Sequence, residues 1–373
     1  VLVRILGFGT YDMDRHPRIG VVLEGFRAHG DQVIEANEPL GVSTAERVDL
    51  LRRPWKLAGL VPTLLGAWWR IAHRARRQQG GWDAVVVGYL GHFDVVLARL
   101  LFPRDTVVLD LLIFGADTAR DRGMQGSLRL RLLGLLDALA IRCADIVMVD
   151  TDEHAQLVTS SQRHKVVVVP VGAPAVWFDA GNEPGEPAEL GAGEPDPLRV
   201  MFYGLFTPLQ GARVIGEALG SLARRQDLEF TMVGSGQDYE AARAAAAANP
   251  QVTWIAWVDG HSLPVLVAGH EVSLGIFGDG PKALRVVPNK VYQGAAAGCA
   301  IVTSNTAPQV RTLGDAAVLV PPGDAVALAE ALQRLADDRM LVASLRQRSG
   351  RLAEASFTGA SVVEPLRSRL HGG

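Results

Sequence analysis

The chain has 373 residues, long enough for two domains with separate cores. A net charge of −3, with 21% charged and 48% apolar residues, is that of an ordinary globular protein and excludes a general nucleic-acid binder. No run approaches the roughly 20 apolar residues of a membrane span, and Cys143 and Cys299 have neither zinc nor redox spacing, so both read as buried reduced thiols. The first residues read directly as a strand with no signal-peptide pattern, which gives a cytoplasmic expectation.

Strands and helices alternate through the first half. Residues 1–8 form a buried-type strand ending in Gly7-Phe8-Gly9, which lacks the third glycine of a dinucleotide fingerprint. A polar loop, 11–18, precedes a helix over 19–29 and a strand over 32–36. Next come helix 57–79, strand 83–88, helix 93–101, strand 106–111, helix 125–143, strand 145–149, helix 154–159 and strand 165–169. Repeated βαβ units with β-branched strands imply a parallel sheet covered on both faces. Ligands of such sheets bind outside the carboxyl ends of the strands. That rule nominates Tyr11, Asp12, Arg15 and Arg18, then Tyr89 and His92, then Asp110 and Asp117, then residues 150–154. Taken singly, each has a capping or turn role as the competing reading; four such clusters on one rim favour a cleft. Asp12 and Asp14 have DxD spacing, for which an exposed turn is the better account. Helix 57–79 sets Trp68 and Trp69 beside Arg70, Arg74, Arg76 and Arg77, after Arg52, Arg53, Trp55 and Lys56. Docking on an anionic membrane is one reading of this helix. A solvated face with one tryptophan in the core is the other, and the preferred one.

Residues 179–197 are rich in glycine, proline and glutamate without periodicity, which marks a linker. Beyond it the alternation restarts: strand 198–203, helix 212–224, strand 228–233, helix 239–248, strand 252–256 and helix 263–268. Lysine is scarce, occurring only at positions 56, 165, 282 and 290, and two of these fall in one stretch, 274–305. There a strand over 272–277 runs into Gly278-Asp279-Gly280-Pro281. Lys282, Arg285, Asn289 and Lys290 follow, then a helix over 290–297 stopped by Gly298 and a strand over 299–304. Cations bunched before a helix N-terminus suit a phosphate ligand, since free N–H groups and the positive end of the helix dipole meet there. Glycine turns at Gly204–Gly211 and Gly234–Gly236 also let backbone N–H groups approach phosphate.

These segments resemble the retaining glycosyltransferases of GT-B fold, family 4, the glycosyl transferases group 1. The resemblance rests on Pro208-Leu209-Gln210-Gly211, on Val233-Gly234-Ser235-Gly236, on residues 293–302 and on Pro321-Pro322-Gly323-Asp324. It implies two Rossmann-like α/β domains with parallel sheets facing a central cleft. An acceptor domain over 1–178 and a nucleotide-sugar domain over 198–356 would be joined by the linker, with a helix over 357–373 crossing back. It implies a UDP-, GDP- or dTDP-sugar as donor, no further cofactor, no metal, and a small-molecule, saccharide or lipid-linked acceptor. By the same resemblance Gly204, Gln210, Gly211, Gly234, Gly236, Trp257, Val258, Gly278, Asp279, Gly280, Pro281, Lys282, Asn289 and Gln293 would hold the donor. Tyr11, Arg15, Arg18, Tyr89 and Asp117 would face the acceptor, and Asp110, His92, Lys290 and Arg285 would serve catalysis. The family's paired glutamates fall here on Arg285 and Gln293, and its loop arginine and lysine on Leu205 and Gln210. The departures suggest a diphosphate clamp moved to Lys282, Arg285 and Lys290. A sugar-nucleotide epimerase and a catalytically silent nucleotide-sugar-binding partner are the alternatives.

Overall fold

The computed structural model describes residues 2–13, 16–40, 57–77, 81–121, 126–182 and 196–372. The chain divides into two compact units, Val1–Pro170 with Val362–Gly373, and Val171–Ser361.

The first unit holds strands β1 (Arg4–Gly9), β2 (Gln32–Asn37), β3 (Ala84–Val87), β4 (Thr106–Asp110), β5 (Ile146–Val149) and β6 (Val166–Val168). All are parallel, in the order β2-β1-β3-β4-β5-β6. Its helices are α1 (Arg18–Ala28), α2 (Leu57–Arg77), α3 (Asp94–Leu101), α4 (Gly115–Asp121), α5 (Ser127–Cys143) and the single turn α6 (Asp152–Ala155). One face of the sheet takes Ile71 and Ala75 of α2, Val95 and Ala98 of α3, and Ala140 and Ile141 of α5. The other takes Ile19, Leu23 and Phe26 of α1, with Val362, Val363 and Leu366 from the end of the chain. Burial on both faces is why β3 and β5 read as unbroken apolar runs rather than alternating ones.

The second unit begins with α7 (Ala175–Asn182). It holds a parallel sheet of β7 (Leu198–Tyr203), β8 (Leu228–Val233), β9 (Val252–Ile255), β10 (Val272–Leu274), β11 (Ala300–Ser304) and β12 (Ala317–Val320), in the order β12-β11-β10-β7-β8-β9. The helices are α8 (Ala212–Ser221), α9 (Tyr239–Ala245), α10 (Leu263–Ala268), α11 (Asn289–Ala296), α12 (Ala307–Leu313), α13 (Ala325–Asp337) and α14 (Arg339–Ser356). Last comes α15 (Gly359–His371), which carries the chain back onto the first unit.

Strand order reverses between β7 and β10 in the second unit, and between β1 and β3 in the first. Doubly wound sheets bind ligands at these switch points, where flanking connections leave a crevice at the strand ends.

Several expectations are corrected. Residues 179–182 are helical rather than linker, because α7 buries Trp177 and Ala180 on the second unit. The rest of the expected linker up to 195 lies outside the described residues, as do Asp14, Arg15, Arg52, Arg53, Trp55 and Lys56. The strand expected over 272–277 is shorter, at Val272–Leu274, although the Gly275 amide still donates to the Val302 carbonyl at 2.8 Å. The short helix expected over 154–159 lies at Asp152–Ala155, capped by the Thr151 hydroxyl, which accepts from the His154 amide at 3.2 Å. Helices α4 and α12 were not expected at all.

Candidate functional site

The switch point of the second unit gathers most of the nominated donor residues. Strand β7 ends in Phe202 and Tyr203, and Gly204 follows with φ 130°. On the other side of the reversal, β10 leads through Gly275–Pro281 and a turn at Ala283–Arg285 into α11. No side chain caps the α11 N-terminus at Pro288. The second residue of α11, Lys290, points its ammonium group back under β7. Its Nζ lies 3.7 Å from the Phe202 ring centre and 5.9 Å from that of Tyr203. The side chain is 6% exposed, and Nζ has no hydrogen-bond partner. Burial pushes the amine well below its ordinary pKa. The nearest feature on the open side is Gly204, where an added Cβ would stand 3.2 Å from Nζ. Gly204 itself is exposed, so a side chain there would crowd the amine.

The neighbouring loops are locked to one another. Gly278 passes so close to 208–211 that a Cβ there would meet the Pro208 carbonyl oxygen at 2.4 Å. The Phe277 amide donates to the Gln210 carbonyl at 3.1 Å, and the Gly323 amide to the Phe277 carbonyl at 2.8 Å. Gly211, Gly234 and Gly236 stand in the same set of touching turns, and Asp279 lies beside Gly323. Gln293, one turn along α11 from Lys290, accepts the Tyr203 hydroxyl on Oε1 at 3.3 Å. Its amide nitrogen can therefore donate elsewhere. Asn289 is the first residue of α11, and Lys282 and Arg285 bound the short turn before it, all three half-buried. Gly280 and Pro281 edge the same loop. Trp257 is 74% exposed just past β9, with Val258 half-buried beside it.

Sequence reasoning missed three members of this site. Phe202 and Tyr203 form the wall that Lys290 packs against, and Trp177 of α7 stacks on Tyr203 at 5.7 Å. Tyr203 was findable as the last residue of a strand next to the switch point. Trp177 was not, because nothing in its own segment links it to β7.

In the first unit several of the nominated residues are taken up by buried partners. Arg18 and Asp110 are 1% and 2% exposed, and Arg18 Nε donates to Asp110 Oδ1 at 2.8 Å. The two remaining Arg18 nitrogens and Asp110 Oδ2 are buried without hydrogen bonds. Burial pushes the Asp110 carboxyl up against the pull of Arg18, and nearby Asp150 adds to the rise. His92 Nε2 meets Asp137 Oδ1 at 3.0 Å, and Asp137 also accepts the Gly115 and Ala116 amides, at 2.9 and 3.2 Å. Arg18, Asp110 and His92 are thus buried partners in ion pairs or hydrogen bonds rather than open surface groups. Tyr11 is corrected more strongly. Its ring fills the core against Gly88, and its hydroxyl donates to Glu35 at 3.3 Å.

The loops at the β1–β3 reversal hold what else could meet a ligand there. The His16 ring packs, tilted, on Tyr89 with centres 3.9 Å apart, and Leu90 sits at φ 59°, the one non-glycine residue at positive φ among the described residues. Asp94, which the sequence did not single out, ties this region together. It accepts the Thr10 amide at 2.7 Å and the Trp68 indole N–H at 2.8 Å. Asp117 is half-buried in α4. Among the described residues no three His, Cys, Asp or Glu side chains group to hold a metal ion. No helix among them is long and apolar enough to cross a membrane.

Several solved structures similar to this chain share its architecture. HepE of Anabaena, solved with UDP and glucose, superposes with a TM-score of 0.65 at 13% identity over 100% of both chains. Sucrose-phosphate synthase of Thermosynechococcus elongatus gives 0.65 at 15% identity over 99% of this chain and 98% of that one. A UDP-forming trehalose-phosphate synthase of Burkholderia xenovorans gives 0.59 at 15% identity over 82% and 78%. Comparison with curated protein sequences yields no match. Residues 197–338, which contain Lys290 itself, match the family of glycosyl transferases group 1, and the chain as a whole has the GT-B fold.

Proposed function

We propose that the protein is a retaining, metal-independent glycosyltransferase that takes a nucleotide-diphosphate sugar at the Lys290 site. The acceptor is a small molecule, a saccharide or a lipid-linked acceptor. The observation that carries this reading is the buried, unpartnered Lys290 amine at the β7–β10 reversal, with Gly204 beside it. A diphosphate placed there meets that cation and the uncapped N–H groups of α11 together. Those groups would stabilise the negative charge that builds on the leaving diphosphate. Gln293, fixed through Tyr203, would donate its amide to the ribose. With no side chain assigned as base, the departing phosphate would take the acceptor's proton on the same face. This reading needs no cofactor beyond the co-substrate. The complexes of HepE with UDP make UDP-sugars the first donors to try.

The test is a panel of UDP-, GDP- and dTDP-sugars scored by thermal shift and by donor hydrolysis, with and without EDTA. One donor should stabilise the wild type and be slowly hydrolysed in EDTA, and Lys290→Met should abolish both effects. No response to any donor would sink the proposal. Conversion of donor to its epimer without acceptor would replace it with the epimerase reading. Binding without hydrolysis or transfer to any acceptor would replace it with the silent-partner reading.

A further inference from the structure

Helices α2, α3 and α5 cover one face of the first unit's sheet side by side, with α3 touching both neighbours. Their inward residues are small or branched apolar groups. Their outward residues are not the polar set expected of a solvated layer. On α5 the exposed Leu128, Leu132, Leu135 and Leu139 follow one another at helical spacing, with Leu135 65% exposed. Leu100 of α3 is 74% exposed, and Leu65 and Trp69 of α2 are 55% and 69% exposed. Exposed apolar side chains scattered singly need no explanation, whereas an apolar layer of this kind does.

The charge on the same three helices has one sign. Their only acids are Asp94 and Asp137, and both are buried, holding the Thr10, Gly115 and Ala116 amides and the Trp68 and His92 rings. Arg70 and Arg74 pair with Glu38, and Arg99 with Asp145. Arg76, Arg77, Arg131 and Arg142 remain exposed on the helices that carry the leucines. Long basic side chains that flank apolar ones can bury their stems while their charged heads meet phosphate.

We infer that this three-helix face docks on an anionic lipid surface. Apolar side chains at the centre, arginines alongside and no outward carboxylate complement a bilayer bearing acidic headgroups. A second copy of the chain fits less well, because a self-complementary interface would set these arginines against their own copies with no acid between them. For α2 this is the membrane reading that the sequence ranked second, while the one-in, one-out placing of the two tryptophans is as the preferred reading expected. Trp68 donates to buried Asp94, while Trp69 faces outward and stacks on His73 at 5.5 Å.

The test needs neither donor nor acceptor, so it stands or falls apart from the glycosyltransferase reading. The full chain is sedimented with vesicles about one-third phosphatidylglycerol in phosphatidylcholine, and with phosphatidylcholine alone. It should bind the first at least about tenfold more tightly than the second, and lose that preference in high salt. Leu132→Ser with Leu135→Ser, and separately Arg131→Glu with Arg142→Glu, should each weaken binding about tenfold or more while leaving the melting temperature unchanged. Absence of binding to anionic vesicles, or binding that neither pair of substitutions alters, would overturn the inference. A concentration-dependent dimer that the leucine pair abolishes, without vesicle binding, would assign the face to a second copy.

Discussion

Lys290 places two demands on one side chain. In the absence of a ligand its amine is buried against Phe202 with no hydrogen bond, and burial holds its pKa well below the ordinary lysine value. The folded state therefore binds fewer protons here than the unfolded chain. This group's contribution to stability is full only above the ordinary lysine pKa of about 10.4, and is lost as pH falls toward the depressed folded value. Lys290→Met should thus raise the melting temperature at neutral pH. Its advantage over wild type should shrink as pH approaches about 10, by at most about 1.4 kcal/mol per pH unit. Paired pH–stability curves measure this, and a constant difference across pH would show that the amine is not depressed. A diphosphate would restore the charged form, so donor binding at neutral pH should take up a proton. Calorimetry in two buffers of different ionisation enthalpy detects it. The Arg18–Asp110 pair makes the opposite case. It is buried with several atoms unsatisfied, so removing one partner strands a charge. Arg18→Met alone should cost about 3–5 kcal/mol, whereas Arg18→Met with Asp110→Leu should recover most of it. Urea titrations of the three variants decide this. If the double variant is stable but inactive, Asp110 has a role in the reaction beyond its ion pair.

At the scale of elements, what was legible depended on how far each signal reaches along the chain. Strands β7, β8 and β12 stand where their β-branched and aromatic runs ended, and α10 where its apolar run lay. Helix α13 begins where Asp324 follows the Pro-Pro-Gly turn, and Asp324 Oδ1 accepts the Ala327 amide at 2.9 Å. Asp324→Ala should cost about 1 kcal/mol by chemical denaturation, the usual value of such a cap, with no change in donor binding. Helix α12 escaped notice because Ala307-Pro308 reads as a turn; here the proline occupies the first turn of a helix, where its missing N–H costs nothing. Helix α7 was lost to the composition of the segment after it, and α4 is too short for periodicity to show. The site followed the same rule. Gly204, Lys290 and the touching glycine loops were visible as local motifs. That Tyr11 fills a core, that Arg18 reaches Asp110, and that Trp177 stacks on Tyr203 are contacts between distant segments, which no local pattern encodes.

At the scale of the whole molecule, the chain leaves the first unit near Pro170 and returns to it at Val362. The first unit is therefore incomplete until α15 is made. Val362, Val363 and Leu366 of α15 are buried with Ile5, Ile19 and Leu23, and Arg367 Nε donates to Asp31 Oδ2 at 2.8 Å. Burial works against the Asp31 carboxylate, yet the Arg367 bond and the Val3 amide outweigh it and hold its pKa below the usual range. Removal of residues 359–373 would expose one side of that core, at about 1.5–3 kcal/mol for each large apolar side chain lost. The second unit loses no core residue by the same cut, since its apolar cluster draws on none of α15. The truncated chain should then show selective loss of amide protection in β1, α1 and β3, with β7, β8 and β11 protected as before. Hydrogen exchange read by mass spectrometry resolves the two sheets. Leu366→Ala in the full chain should reproduce the pattern at smaller amplitude, about 2–5 kcal/mol. Equal loss in both sheets would mean that the units unfold as one cooperative block. No loss in β1 would mean that α15 closes the core without supporting it.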